Sequence, residues 1–173
     1  MARVQAVSTS TPRLIDMFGR SVMTSIVRDP STGPVMFRSG GPAGNRTAVH
    51  TEDVLATATE TYDYWTAALG IARGSWPNSY WGENLTVVGI DESQLRIGDR
   101  LRIGAQAVLE VTSPRIPCFK LAWRLGQLEA FLRTLVQSGH TGFYLRVLVP
   151  GMVSAGDRIT VERAHPDNVT VAA

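Results

Sequence analysis

The chain of 173 residues has one cysteine, Cys118, so it can form no internal disulfide and cannot assemble an iron–sulfur cluster from its own thiolates. Its three histidines, His50, His140 and His165, are scattered and lack the spacing of a zinc site. Lysine is almost missing: of 17 basic residues only Lys120 is lysine, and the rest are arginine. The formal net charge of +2 is nearly balanced, so nucleic acid is not an expected partner. No apolar run approaches the roughly 18 residues that span a bilayer. The first residues lack the apolar stretch of a secretory signal. The expected compartment is therefore the cytoplasm, with no membrane contact. Neither GxGxxG nor GxxxxGK[ST] occurs, and strands do not alternate regularly with helices, which disfavours a Rossmann or P-loop fold. No Ser-His-Asp or Cys-His-Asn order is convincing, so hydrolysis is not the expected chemistry.

The composition that remains is that of a folded protein. With 44% hydrophobic and 18% charged residues, the length predicts a single domain over 1–173 with one sizeable core. Sixteen Gly and nine Pro favour turns and short strands over a helix bundle. Residues 1–20 are ambiguous, with a possible strand over 4–8. A strand is predicted at 21–28, with 35–38 as its hairpin partner and 39–46 as a loop. A helix is predicted from Thr51, which can cap it, to Leu69. Glu52 and Asp53 fall in its first turn, and Val54, Ala58, Tyr62, Trp65 and Leu69 share its apolar face. Gly70 stops it. In the loop that follows, Trp76, Tyr80 and Trp81 read as a folded-back aromatic plug.

Beyond residue 84 the pattern is mostly β. Strands are predicted at 85–88, 100–103, 106–112, 141–148 and 158–163, a helical turn at 91–95 and a second helix at 128–137. Gly98-Asp99-Arg-Leu-Arg-Ile reappears as Gly156-Asp157-Arg-Ile-Thr-Val, which suggests two similar corners in a barrel. The fold class is therefore mainly β with flanking helices, as a closed or nearly closed β-barrel.

Three segments can carry chemistry. In Ser113-Pro114-Arg115-Ile116-Pro117-Cys118-Phe119-Lys120, two prolines stiffen the approach to a thiol flanked by Arg115 and Lys120. Nearby cations favour the thiolate, which is both nucleophile and soft-metal ligand. In Gly82-Glu83-Asn84-Leu85-Thr86, a glycine permits close backbone approach and Asn84 can donate and accept hydrogen bonds. In the run 138–146, a Gly-bracketed turn carries His140 and Thr141, and the next strand presents Arg146; free turn amides beside an arginine suit an anion. Each segment also has a plain structural reading: a buried small hydrophobe, a capped turn, and a Gly-stopped helix before a strand.

Together, GENLTVVGIDESQLRIGDRLRIG (82–104), LEVTSPRIPCFKL (109–121), SGHTGFYLRVL (138–148) and VSAGDRITV (153–161) resemble the MOSC domain, named for the C-terminal part of molybdenum-cofactor sulfurases. The likeness is greatest to small stand-alone bacterial MOSC proteins that reduce N-hydroxylated bases. The resemblance implies a β-barrel and a pterin-based molybdenum cofactor (Mo-molybdopterin) with Cys118 as the metal ligand. It implies cofactor contacts from Asn84, Arg115, Lys120, Thr141, Arg146 and His140. It implies two-electron reduction of an N–OH small-molecule substrate, with electrons from a separate flavoprotein or iron–sulfur protein. The chain departs from the family where Ser39 precedes a Gly pair, where Thr47 replaces a usual Lys and Thr51 follows His50, where His140 replaces a frequent Arg, and where Phe119 replaces a frequent Trp. Imidazole is mostly neutral near pH 7 whereas guanidinium is charged, so this rim carries less positive charge. Two other readings stay open. One is a cofactor-free enzyme of a specialised biosynthetic pathway, independent of pyridoxal phosphate, in which Cys118 acts as nucleophile or persulfide (sulfur) carrier. The other is a non-catalytic module that binds a cofactor or small molecule.

Overall fold

Phe143, Leu145 and Val147 alternate along one strand and face the same interior, while Arg146 between them is exposed. That period of two continues around the molecule. In the computed structural model, which describes residues 1–46 and 53–173, the strands are β1 (Arg3–Thr9), β2 (Arg13–Met17), β3 (Arg20–Thr24), β4 (Asp29–Pro30), β5 (Val35–Arg38), β6 (Gly41–Pro42), β7 (Val54–Ala58), β8 (Leu85–Val88), β9 (Arg100–Ile103), β10 (Ala107–Pro114), β11 (Phe143–Val149), β12 (Gly151–Val153) and β13 (Ile159–Glu162). The helices are α1 (Thr59–Ala68), α2 (Phe119–Arg124) and α3 (Phe131–Ser138). One sheet runs β13-β9-β10-β11-β7-β8-β1-β4; its β7–β8 pair is parallel and the other pairs are antiparallel.

The sheet curls until its first strand meets its last. The Ile159 N–H donates to Ala2 O (2.9 Å), and the Val4 N–H donates to Asp157 O (2.8 Å). The two GDR corners are built alike. Asp99 Oδ2 accepts the N–H of Arg96, and Asp157 Oδ2 accepts that of Ser154. Each corner clasps one strand residue through a pair of backbone bonds: Val111 bonds with Gly98 and Asp99, and Val4 with Gly156 and Asp157. The sequence repeat is therefore a structural repeat, used once on β10 and once on β1 at the seam.

Two apolar clusters result. One fills the curl with Leu85, Val87, Leu101, Ile103, Leu109, Phe143 and Leu145. The other joins Met17, Tyr62, Trp65, Trp76, Trp81, Leu121 and Leu135 from the β2–β3 hairpin, α1 and its following loop, α2 and α3. Burying side chains of this size contributes about 1.5–3 kcal/mol each. The aromatic plug forms as expected: Trp76 stacks on Tyr80 at 5.6 Å, and both Trp76 and Trp81 pack edgewise or tilted against Tyr62.

Several expected elements differ. Residues 54–58 form strand β7, not the start of a helix, and α1 begins at Thr59. All five β7 residues are buried, so the strand shows no alternation, and its Val54 and Ala58 fall four apart like a helical face. The expected cap Thr51 and Glu52 lie outside the described residues, as do Thr47 and His50. The strand expected at 21–28 is β3 alone, and it pairs with β2 rather than β5. Strand β5 pairs instead with β12 and β6. Helix α3 starts three residues later than expected, leaving Leu128 exposed. Among the described residues, no helix is long and apolar enough to cross a membrane.

Candidate functional site

Strand β10 ends at Pro114, and the four residues 115–118 are irregular before α2 begins. Prolines at 114 and 117 carry no N–H and restrict the residue before each, which keeps this stretch extended. Cys118 is the N-cap residue of α2, with an extended backbone (φ −130°, ψ 171°). Its carbonyl accepts the N–H groups of Leu121 (2.8 Å) and Ala122 (3.2 Å). Its side chain does not cap the helix, and the thiol is half-buried and free. Arg115 is buried; its N–H donates to Gly142 O (2.9 Å) and its Nη1 donates to Trp81 O (2.8 Å).

Arg115 belongs to a clasp of three guanidinium groups on three consecutive carbonyls. Arg124 Nε donates to Tyr80 O (3.0 Å), with its guanidinium 4.3 Å above the Tyr80 ring. Arg28 Nε donates to Gly82 O (2.6 Å), and its Nη1 donates to Asn45 Oδ1. Gly82 (φ +81°) has no room for a Cβ, which would lie 2.9 Å from Ile26 O. Next along the chain, the buried Glu83 Oε1 accepts from Tyr62 Oη (2.5 Å), Thr86 Oγ1 (2.6 Å) and the Ser79 N–H (2.9 Å). Its Oε2 has no partner among the described residues. Burial pulls the Arg28 pKa down to about 10; Glu83 opposes the drop and the like charge of Arg115 adds to it. Burial and then Glu83 push the Tyr62 phenol well up. Thus Arg28 and Arg115 bring two buried cations against one buried carboxylate. Guanidinium stays charged at neutral pH even at about 10, so the excess is positive.

The Gly-bracketed turn is present, but its amides are engaged. The His140 N–H donates to Ser138 Oγ (3.0 Å), and the Gly142 N–H donates to Oε2 of the buried carboxylate of Glu92 (3.0 Å). The chain thus fills this anion nest with a carboxylate of its own. The imidazole of His140 stacks on Tyr64 of α1 (4.2 Å between ring centroids), and the His140 carbonyl accepts Trp65 Nε1 (2.8 Å). Thr141 is buried, with Oγ1 3.3 Å from Gly142 O.

The Gly142–Arg115 backbone bond therefore brings the turn carrying Thr141 against the segment carrying Arg115 and Cys118. Lys120 is half-buried in the first turn of α2 and makes no ion pair among the described residues. Asn84 is buried and its amide bonds to backbone on both sides: Nδ2 donates to Ser8 O (3.1 Å), and Oδ1 accepts the Leu55 N–H (3.2 Å). Arg146 stands on the outer wall, bonded to Glu110 at 2.6 Å. Sequence reasoning missed Arg28, Glu83 and Glu92. The only signal for Glu83 was its place beside Asn84 in the Gly-Glu-Asn run. Arg28 and Glu92 gave none, since a charge at the end of a strand or in a polar turn reads as solvated surface.

Residues 39–160 match the MOSC domain. The uncharacterized protein YflK of Bacillus subtilis (strain 168) is 34% identical over 159 residues, covering 88% of this chain and 70% of YflK. A protein described as a reductase in Gibberella moniliformis is 30% identical over 159 residues, which is 86% of this chain but 27% of that protein. The crystal structure of YiiM from Geobacillus stearothermophilus superposes with a TM-score of 0.77 at 24% identity, covering 99% of this chain and 80% of that one. This likeness confirms the mainly β, barrel-like fold. On the family match and the YflK identity together, the chain belongs to the MOSC domain family.

Proposed function

We propose that this protein is a molybdenum-cofactor oxidoreductase that reduces N-hydroxylated small molecules. The observation that carries the proposal is the buried pair Arg28 and Arg115, in excess over Glu83, with Arg115 itself in the segment that leads to Cys118. Burying two guanidinium groups together is costly. For Arg28 alone, burial is strong enough to pull the pKa down to about 10. An anion bound beside the pair would recover that cost, and the phosphate of a pterin cofactor is such an anion.

The donor set fits the group. Among the described residues no cluster of three or more His, Cys, Asp or Glu could hold a metal ion. The chain offers one soft, half-buried thiol, which suits a metal that arrives with ligands of its own. When bound, the cofactor would supply the two-electron chemistry that takes an N–OH group to N–H and water. The chain's own residues would do the rest. Cys118 would ligate the metal. Arg115 and Arg28, with Lys120 at the start of α2, would hold negative charge near it. Thr141, pinned against the Arg115 segment, would offer a hydroxyl. The proposal leaves out Asn84, His140 and Arg146, which are engaged by Ser8 and Leu55, by Tyr64, and by Glu110. A single cysteine cannot ligate an iron–sulfur cluster, so the electrons would come from a separate flavoprotein or iron–sulfur protein. The reductase description of the Gibberella relative points the same way.

The test is metal and pterin analysis of protein made in a host that synthesises the cofactor. Stoichiometric molybdenum is expected, lost in Cys118→Ser and reduced in Arg28→Met with Cys118 intact. Wild-type protein from such a host that carries no molybdenum overturns the proposal.

A further inference from the structure

Glu92 is a carboxylate with almost no access to water (2% exposed) and no cationic partner among the described residues. A buried charge of this kind persists only where hydrogen-bond donors replace the lost water. Here the donors come from two places. On one side, Oε1 accepts Thr61 Oγ1–H (2.8 Å) and the Ala58 N–H (3.3 Å). Ala58 is the N-cap residue of α1 and has no capping side chain of its own, so Glu92 accepts its N–H and adds a buried acidic group to the exposed Glu60 of the first turn. On the other side, Oε2 accepts the Gly142 N–H (3.0 Å).

The second side leads toward the thiol. The Gly142 carbonyl accepts the Arg115 N–H (2.9 Å), and Cys118 follows three residues later across Pro117. The Gly142 peptide has little freedom to drift. Its φ is +89°, and a Cβ there would lie 2.8 Å from both Ala56 O and Thr57 Oγ1, so the turn is pressed against β7. One carboxylate therefore ties the start of α1 to the turn, and one further peptide ties the turn to the segment that carries the candidate metal ligand.

We infer that Glu92 is a positioning residue for the Cys118 loop. Seated between the start of α1 and the turn of Thr141 and Gly142, it sets where Arg115 and the thiol lie without touching either. The inference rests on Cys118 being the reactive group, but its test needs no molybdenum, so it can fail independently of the reading above.

The test measures alkylation of Cys118 by iodoacetamide in metal-free protein, alongside the thermal midpoint. Glu92→Gln presents an NH2 group where an acceptor is required, and so frees either the turn or the helix start. Thr61→Val removes a donor on the helix side only. Glu92→Gln is expected to change the alkylation rate by about tenfold, the low end of what outer partners of a metal ligand contribute, while Thr61→Val lowers the midpoint and leaves the rate within about twofold of wild type. If Glu92→Gln does not fold, Glu92→Asp, which retracts the same charge by one methylene, takes its place under the same criterion. An alkylation rate within about twofold of wild type in the Glu92 variant overturns the inference and leaves Glu92 a purely structural carboxylate.

Discussion

Two sets of arginines do opposite things in this molecule. On the outer wall, Glu162, Arg100, Glu110 and Arg146 lie side by side across β13, β9, β10 and β11, alternating in sign. Their ion pairs stand largely in water: Arg100, Arg102 and Arg146 are each more than half exposed. Around residues 80–82, by contrast, Arg28 and Arg115 are buried and donate to backbone carbonyls, with Arg124 completing the set. The residue type is the same, and the environment decides the role. An exposed pair is screened and gains little, whereas a buried guanidinium must be satisfied or it destabilises. The wall arginines keep a sheet face soluble, and the buried ones pin a loop and concentrate positive charge.

The largest effect that would sharpen this contrast is on the buried side. Arg115→Ala strips Trp81 O of its donor and removes one of the cations near Glu83. It should cost on the order of 1–3 kcal/mol in denaturant unfolding, the cost of a buried carbonyl left without its donor. A loss below about 1 kcal/mol would put Arg115 in the same class as the wall arginines.

The neighbours Asp91 and Glu92 repeat the contrast for acids. Burial raises Glu92 above its ordinary 4.5, so the folded state keeps the proton longer than the unfolded chain does. Wild-type stability relative to Glu92→Gln should therefore fall as pH rises from about 4.5 through the raised value. Exposed Asp91 is lowered from 3.8 by hydrogen bonds first from the Ser93 hydroxyl and then from the Ser93 N–H. Its contribution, measured against Asp91→Asn, should be present above 3.8 and fade as pH falls through and below it. Thermal midpoints at a series of pH values check both slopes, and parallel slopes would erase the distinction.

The smallest effect is on the wall. Arg146→Ala should change stability by no more than about 1 kcal/mol, and high salt should shrink that difference further. Salt titration of the Arg115→Ala penalty should leave it almost unchanged, because its partners are out of solvent.

What could be read from the sequence follows the same division between wet and dry. Strand β11 was legible because one face is buried and the other carries Arg146, so it alternates. The repeated GDR corners were legible because Asp99 and Asp157 each cap their own turn, a local interaction. Strand β7 was not, because both of its faces are covered. Cys118 and Arg115 stood out through their prolines and charge. Arg28 and Glu92 did not, because their partners lie 17 to 54 and 31 to 50 residues away and no local pattern encodes such pairings. Asn84 looked like a ligand-binding amide, yet its donors and acceptors bind β1 and β7 across the sheet.

The seam at Ala2 to Val4 also bears on how the protein is made. Strand β1 is synthesised before its partners at 156–159, which follow about 150 residues later. At about 5–20 residues per second, that is a wait of roughly eight to thirty seconds with an unpaired edge. Premature termination anywhere before residue 156 would leave that edge permanently open to other chains, so truncated products should be prone to aggregate through β1.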